Sequence, residues 1–465
     1  MCSSIRSVAT WSGLGLLTFL LVMAPAVMAQ RDSHSTDDSW KRGLKRYQKG
    51  DFDGAIADFN RAIDALLSDE AAYGNNDPAH HAFAESVMVN YGKMIVAVPR
   101  AAMLYYDRGL ARLQKGETDE AIADFSESIR IAPRNAGVWM HRGTAHQGKH
   151  EYDQAIADYS RSIALYPRYA LAFYNRGVAY RDQSQWSQAL ADFNRAIELD
   201  PHMDDAWVNR GSVRSELGDE ASAIADYNQA LKLNEKHQMA WNNRALARFH
   251  QGDVSGALAD LAQAIKLEPT ATAFYLNRAV IRLDSNDLDG VIADCTKALS
   301  INPELSAAWG TRGIARHRKG RIDEAAADYN QAIKLNDRLA AVWFNRGNLW
   351  ADEGKIELAV SDFNQALKLD PQMAPAWNNR GNIRFASGEL KAALSDYDHA
   401  VKADPGYAPA WGNRGLTLLL LGRDSEAEKD FTRCRTLDHE MSAQLEKRIS
   451  RIRQIRKTTS QQAAR

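Results

Sequence analysis

Arginine stands at Arg108, Arg142, Arg176, Arg210, Arg244, Arg278, Arg312, Arg346, Arg380 and Arg414, each thirty-four residues after the last. Aspartate follows sixteen residues after every one of them, at Asp124, Asp158, Asp192, Asp226, Asp260, Asp294, Asp328, Asp362, Asp396 and Asp430. A register that holds without slippage from about Ala102 to Met441 excludes an ordinary globular enzyme fold and requires stacked copies of one helical hairpin. It also explains how a chain of 465 residues escapes the limit of roughly 250 to 300 residues at which single cores stop growing. The composition, 45% hydrophobic and 25% charged, is that of a folded protein. A formal net charge of -1 exerts no global pull towards nucleic acid or an anionic membrane, so no nucleic-acid partner is expected.

One unit shows the logic: Trp377, Arg380, Gly381, Gly388, Ala393, Tyr397, Ala400 and Pro405. This spacing of aromatic, Gly, Ala, aromatic, Ala and Pro resembles the tetratricopeptide-repeat (TPR) family over about three quarters of the chain. Where that family usually has Leu before the first Gly, this chain has Arg, so one core position is built differently. The resemblance implies an all-α TPR solenoid, a right-handed superhelix of antiparallel helix pairs, here with about eleven repeats. Gly381 falls mid-helix, where Gly costs ~0.5 to 1 kcal/mol relative to Ala. Its recurrence therefore needs a packing reason, and Ala245 and Ala279 are the two substitutes. Gly388 suits the turn between the helices, and Pro405 opens the link to the next unit.

Seven of the ten units carry Trp three residues before the Arg, a phase that suits packing between repeats rather than carbohydrate stacking. In an antiparallel hairpin the middle of the first helix faces the middle of the second, which sets Arg312 opposite Asp328 and Arg380 opposite Asp396. An Arg in such a core position is tolerable only when paired, so one structural ion pair per unit is predicted, with no part in catalysis.

The ends are irregular. Residues 1–29 carry Arg6, an apolar stretch from Trp11 to Val22, and small residues up to Ala29, which reads as a secretory signal peptide cleaved before Gln30. A periplasmic or secreted protein is expected, with a retained N-terminal membrane anchor as the alternative. Residues 30–40 read as a linker, and 41–67 as an N-terminal hairpin out of phase with the array. An insertion follows at 68–101, in which Asp77 and Pro78 resemble a helix start leading into one extra helix up to Val98. Ten contiguous units then fill 102–441. Met441, Leu445, Ile449 and Ile452 recur at helical spacing, so 442–465 reads as a capping helix with a basic tail. Cys295 and Cys434, four units apart, are expected to be free buried thiols.

No nucleophile elbow, phosphate loop or zinc-spaced Cys/His cluster occurs. His146 and His150 sit four apart without an evident third ligand, and His80 and His81 beside Asp77 are weaker still. The repeats leave no segment long enough for a catalytic domain, so no enzyme, cofactor, metal site or small-molecule substrate is expected. In the TPR family the first helices line a concave groove. The residue before each Arg there is Asn175, Asn209, Asn243, Asn277, Asn345, Asn379 and Asn413, with Asp107, His141 and Thr311 elsewhere. This resembles the asparagine ladder of the O-linked GlcNAc transferases' repeats, which implies a groove holding an extended peptide by its backbone; the transferase's catalytic domain has no counterpart. The competing role is that these asparagines satisfy neighbouring helices. The preceding position lacks the Lys of chaperone-tail carboxylate clamps. The expected function is extracytoplasmic protein–protein interaction with a partner peptide or helix, in envelope assembly. The alternative is a scaffold that self-associates through convex faces and the basic C-terminal helix.

Overall fold

The computed structural model describes residues 33–73, 86–91 and 94–463. Helical hairpins follow one another: α1 (Ser33–Gln48) with α2 (Phe52–Tyr73), α3 (Arg100–Lys115) with α4 (Thr118–Ile131), α5 (Ala136–Gly148) with α6 (Tyr152–Leu165), α7 (Ala170–Asp182) with α8 (Trp186–Leu199), and α9 (Asp204–Glu216) with α10 (Glu220–Leu233). Then come α11 (Gln238–His250) with α12 (Val254–Leu267), α13 (Thr272–Asp284) with α14 (Leu288–Ile301), α15 (Ser306–Arg318) with α16 (Ile322–Leu335), α17 (Ala340–Asp352) with α18 (Ile356–Leu369), α19 (Ala374–Ala386) with α20 (Leu390–Ala403), and α21 (Ala408–Leu420) with α22 (Asp424–Leu437). A last helix, α23 (Ser442–Ala463), ends the described chain. The chain divides into two compact units, Met1–Asn243 and Arg244–Arg465. Within each, the second helix of a hairpin packs on the first helix of the next. The architecture is an all-α TPR solenoid.

Each hairpin closes on one complementary pair. The ring that follows the Asp (Phe125, Tyr159, Phe193, Tyr227, Tyr329, Phe363, Tyr397 or Phe431) is buried against the Gly that follows the Arg. A Cβ on Gly177 would stand 2.8 Å from Phe193 Cε1 and 2.9 Å from its Cδ1. The two units with Ala in place of this Gly also lack the ring: Ala245 goes with Leu261, and Ala279 with Cys295. The mid-helix glycine is therefore the space that an aromatic ring occupies. Gly177→Ala is expected to lose about 1 to 3 kcal/mol to overpacking, more than the ~1 kcal/mol that Ala gains over Gly in a helix. Phe193→Leu added to it should restore part of the loss in thermal melting, and strictly additive losses would contradict this pairing.

The turn after each first helix needs a left-handed residue. Gly388 adopts φ 78°, and the units without Gly there use His150 at 61°, Ser184 at 59° and Asn286 at 58°. His150 is thus a turn residue.

Three boundaries differ from the sequence reading. The linker expected at 30–40 is helical from Ser33, and the N-terminal hairpin runs over α1 and α2 rather than 41–67. Its early start has a cause: Trp40 is buried, and its indole Nε1 donates to Asp107 Oδ2 at 2.8 Å. The extra helix expected before Val98 is replaced by a hairpin of β1 (Ser86–Tyr91) and β2 (Met94–Pro99), antiparallel with Val87 opposite Val98 and Val89 opposite Val96. Val87, Val89, Ile95, Val96 and Val98 are β-branched, which favours strands over a helix. The leader 1–29, Asp77–Pro78 and the His80–His81 pair lie outside the described residues. No described helix is long and apolar enough to cross a membrane.

Candidate partner-binding groove along the first helices

The first helices are locked in place by the arginine column. Arg312 Nε and Nη2 donate to the two oxygens of Asp328 at 3.0 and 2.8 Å, and Arg380 does the same to Asp396 at 3.0 and 2.6 Å. The same two-pronged contact recurs from Arg108–Asp124 to Arg414–Asp430, with the Asp side chains at most 7% exposed. Its planar fork suits a guanidinium and not an ammonium. The Asp430 carboxylate holds the Arg414 guanidinium above its ordinary pKa. Two further roles escaped the sequence reading. A second arginine four residues on joins the same carboxylate in several units, as Arg316 does to Asp328 at 2.7 Å and Arg384 to Asp396 at 2.8 Å. The remaining Nη1 of the first arginine reaches back to the previous hairpin: Arg142 to Ser126, Arg312 to Thr296, Arg346 to Asn330 and Arg414 to Asp398.

The tryptophans, half-buried against the apolar clusters between repeats, also bracket this column. The guanidinium carbons of Arg312 and Arg380 lie 4.6 and 4.7 Å from the ring centroids of Trp309 and Trp377. Each indole N–H donates to a carbonyl six residues upstream, as Trp377 does to Pro371 at 2.9 Å. The repeated Trp therefore shields the ion pair and pins the inter-repeat link.

The seven asparagines sit on the first helices as the register requires, and most of their amides are engaged. Asn209 donates to Tyr174 Oη at 3.1 Å and to the Asp205 carbonyl at 2.8 Å. Asn243 donates to Ser212 Oγ at 3.1 Å, and Asn379 to Asn348 Oδ1 at 2.8 Å. Asn413 is buried, donating to Asn378 and Asn382 while accepting from Arg448 of α23 at 3.0 Å. Asn277 is also buried, and Asn175 donates to Met140 Sδ at 3.4 Å. Asn345 differs: among the described residues it has no hydrogen-bond partner. The inter-helix role thus takes up much of the ladder, and Asn413 in particular is covered by the C-terminal helix.

Asn345 and Asn379 come together in a cleft of about 780 Å³ on the faces of α15, α17 and α19. Asn348 and Asn382 add amides, and Ile314, Phe363 and Ile383 add apolar surface. At the cleft's edge His317 Nε2 pairs with Asp352 Oδ2 at 3.1 Å. Amides that both donate and accept, set among apolar side chains, match a peptide backbone flanked by apolar residues. Asn348 and Asn382 were missed by reading only the residue before each Arg; they stand two residues after it.

At the two ladder positions occupied by titratable groups, burial dominates. It pushes the Asp107 carboxyl up to about 7 against the opposing Trp40 N–H, and it lowers His141 to about 4. His146 pairs with Glu151 at 2.7 Å and His150 with Tyr152 Oη at 2.9 Å. No group of three His, Cys, Asp or Glu among the described residues is placed to hold a metal. Cys295 and Cys434 are buried and unpaired, with burial raising the Cys295 thiol to about 12.

Family models described as tetratricopeptide repeat match residues 65–136, 170–203, 208–271, 251–306, 311–374 and 378–435, and one described as TPR repeat matches 149–184. No curated protein matches the chain in sequence. Similar solved structures include a tetratricopeptide repeat protein from Parabacteroides merdae, 18% identical over 56% of this chain and 98% of its own, at a TM-score of 0.44. Yeast Tom70 is 12% identical over 92% of this chain and 97% of its own, at 0.44. The APC/C hetero-tetramer Cut9-Hcn1 is 14% identical over 90% of both chains, at 0.45. These likenesses are too distant to speak to function, whereas the family models span well over half of the sequence. The chain belongs to the tetratricopeptide-repeat family, and it is a repeat scaffold of the protein–protein interaction kind.

Proposed function

We propose that this protein works outside the cytoplasm by holding an extended segment or a helix of a partner protein against its first helices, as part of envelope assembly, without catalysis. The observation that supports this reading is the cleft lined by Asn345, Asn348, Asn379 and Asn382, where one amide makes no internal hydrogen bond and apolar side chains stand beside it. A ladder of this kind gives affinity through several hydrogen bonds of ~0.5 to 1.5 kcal/mol each. Asn345→Ala therefore removes a contact to the partner and none to the fold. A displayed library of short peptides, panned on the purified protein, supplies ligands. Asn345→Ala is expected to weaken them several-fold with melting unchanged, and Asn345→Trp, which fills the cleft, to abolish binding. Peptides bound equally by all three proteins would place the interaction elsewhere. The N-terminal 32 residues fused to a phosphatase active only after export test the location; a fusion retained in the cytoplasm would refute that part of the reading. The alternative is self-association through convex faces and the basic C-terminal helix, and light scattering decides it: a concentration-independent monomer mass excludes it.

A further inference from the structure

One column of the repeat decides whether two polar groups are satisfied internally. In three units with Tyr after the Asp, the hydroxyl lies beside the residue two after the Arg: Tyr227 Oη donates to Ser212 at 3.4 Å and Tyr397 to Asn382 at 2.8 Å, while Tyr159 lies 3.3 Å from Thr144 Oγ1 and donates to Gln147 Oε1 at 2.8 Å. In two of these the next unit's asparagine turns to that same residue, Asn243 Nδ2 donating to Ser212 at 3.1 Å and Asn413 Nδ2 to Asn382 at 3.0 Å, whereas Asn175 turns to Met140 Sδ. At Tyr329 the corresponding residue is Ile314, which offers no acceptor. The Tyr329 side chain is 0% exposed and its hydroxyl has no hydrogen-bond partner. The asparagine of the following unit is Asn345, which also has none among the described residues. A single apolar residue thus strips two donors of the acceptor that other units provide, and Ile314, Tyr329 and Asn345 all line the cleft of about 780 Å³. A buried hydroxyl left without a partner is costly. Nothing in the neighbouring units requires it, since Phe stands at this position in four of them.

We propose that a partner's side chain entering the cleft turns Ile314 aside and supplies the acceptor that Thr144, Ser212 and Asn382 supply elsewhere: a Ser or Thr hydroxyl, or an Asn or Gln carboxamide, accepting from Tyr329 Oη and bonding the Asn345 amide. The inference rests on the groove reading above and gives it a specificity position. The ligand is an extended peptide with one such residue at a fixed place, flanked by residues that meet Phe363 and Ile383. An aliphatic side chain there leaves both donors unsatisfied and is discriminated against, as happens wherever a site built to hydrogen-bond meets an analogue lacking the group.

The test uses the full chain and peptides selected from the displayed library. The selected peptides are expected to share a Ser, Thr, Asn or Gln, whose change to Ala or Val weakens binding about tenfold or more. Tyr329→Phe should produce a similar loss while melting stays equal or rises, because it removes only the orphan hydroxyl. Ile314→Asn, which installs the acceptor seen at Asn382, should also weaken binding. Ile314→Thr, with the Thr144 precedent, is the second variant should Asn disturb the packing. Combining either with the peptide's Ala change should add little further loss. Peptides that bind and depend on Asn345 but show no such residue, and that tolerate both Tyr329→Phe and Ile314→Asn, would overturn the proposal and leave the groove intact. A library that yields no binder would remove the groove reading and this inference with it.

Discussion

Asp328→Ala is expected to lower stability by about 3 to 5 kcal/mol, because it leaves Arg312 facing a closed hairpin without its carboxylate and Arg316 with only the exposed Glu324. The carboxylate is 2% exposed and receives Arg312 twice, at 3.0 and 2.8 Å, and Arg316 at 2.7 Å. The converse change is milder here, since Arg312→Leu leaves Arg316 in place to neutralise Asp328. Asp362 has no such reserve: among the described residues Arg346 is its one cationic partner, and Trp350 stands where the second arginine would be. Arg346→Leu should therefore cost more than Arg312→Leu. Chemical denaturation combined with amide exchange over the affected hairpin checks both statements, and equal losses for the two arginine variants would show that the second arginine contributes nothing.

The second large effect depends on pH. The Asp107 carboxyl titrates near 7 in the folded chain, driven up by burial, and near 4 when unfolded. The folded state thus binds the extra proton between those values, and stability from this group is present below about pH 4 and lost as pH rises through 7. Asp107→Asn removes the penalty while keeping an acceptor for Trp40, and Asn is what seven other units carry at this phase. At about 1.4 kcal/mol per pKa unit, the variant should be more stable than the parent by up to roughly 4 kcal/mol at pH 8 and no more stable at pH 4. His141 has the opposite sign. Its folded pKa of about 4 lies below the ordinary imidazole value, so its contribution is lost as pH falls from about 6.5 towards 4. In the parent the two slopes oppose each other across that window. In Asp107→Asn the histidine acts alone, and melting should fall on acidification. A melting curve for the variant that parallels the parent's at every pH would contradict the buried carboxyl.

The repeat, the helix pairs and the Arg–Asp register were legible because every hairpin must solve the same contact problem, so the same residues recur at one spacing. The two breaks in the glycine column were legible as breaks. Their reason lay sixteen residues on, where Leu261 and Cys295 replace the ring. The start of α1 was not legible, since the contact that orders it joins Trp40 to Asp107 across 67 residues. The segment before Val98 misled because a short apolar run is as apolar in a strand as in a helix, and only its β-branched residues argue for strands. The asparagine column was found by phase, but its occupancy depends on Ser212, Asn348, Asn378 and Asn382, one hairpin upstream. Position along one helix cannot show whether a side chain on the helix before it has already claimed the amide.

The backward-reaching arm of each first arginine has a mechanical consequence. Tension on a stack of hairpins passes through whatever ties one to the next, and within Arg244–Arg465 those ties include Arg312 to Thr296, Arg346 to Asn330, Arg380 to Asn364 and Arg414 to Asp398. Arg278 has Ala262 at the matching place, a methyl group that holds nothing. The hairpins on either side are also the two without an aromatic wedge, built on Ala245 with Leu261 and Ala279 with Cys295. Under load the step between α12 and α13 has to hold without the fastening that its neighbours keep, and single-molecule pulling is expected to part it before them.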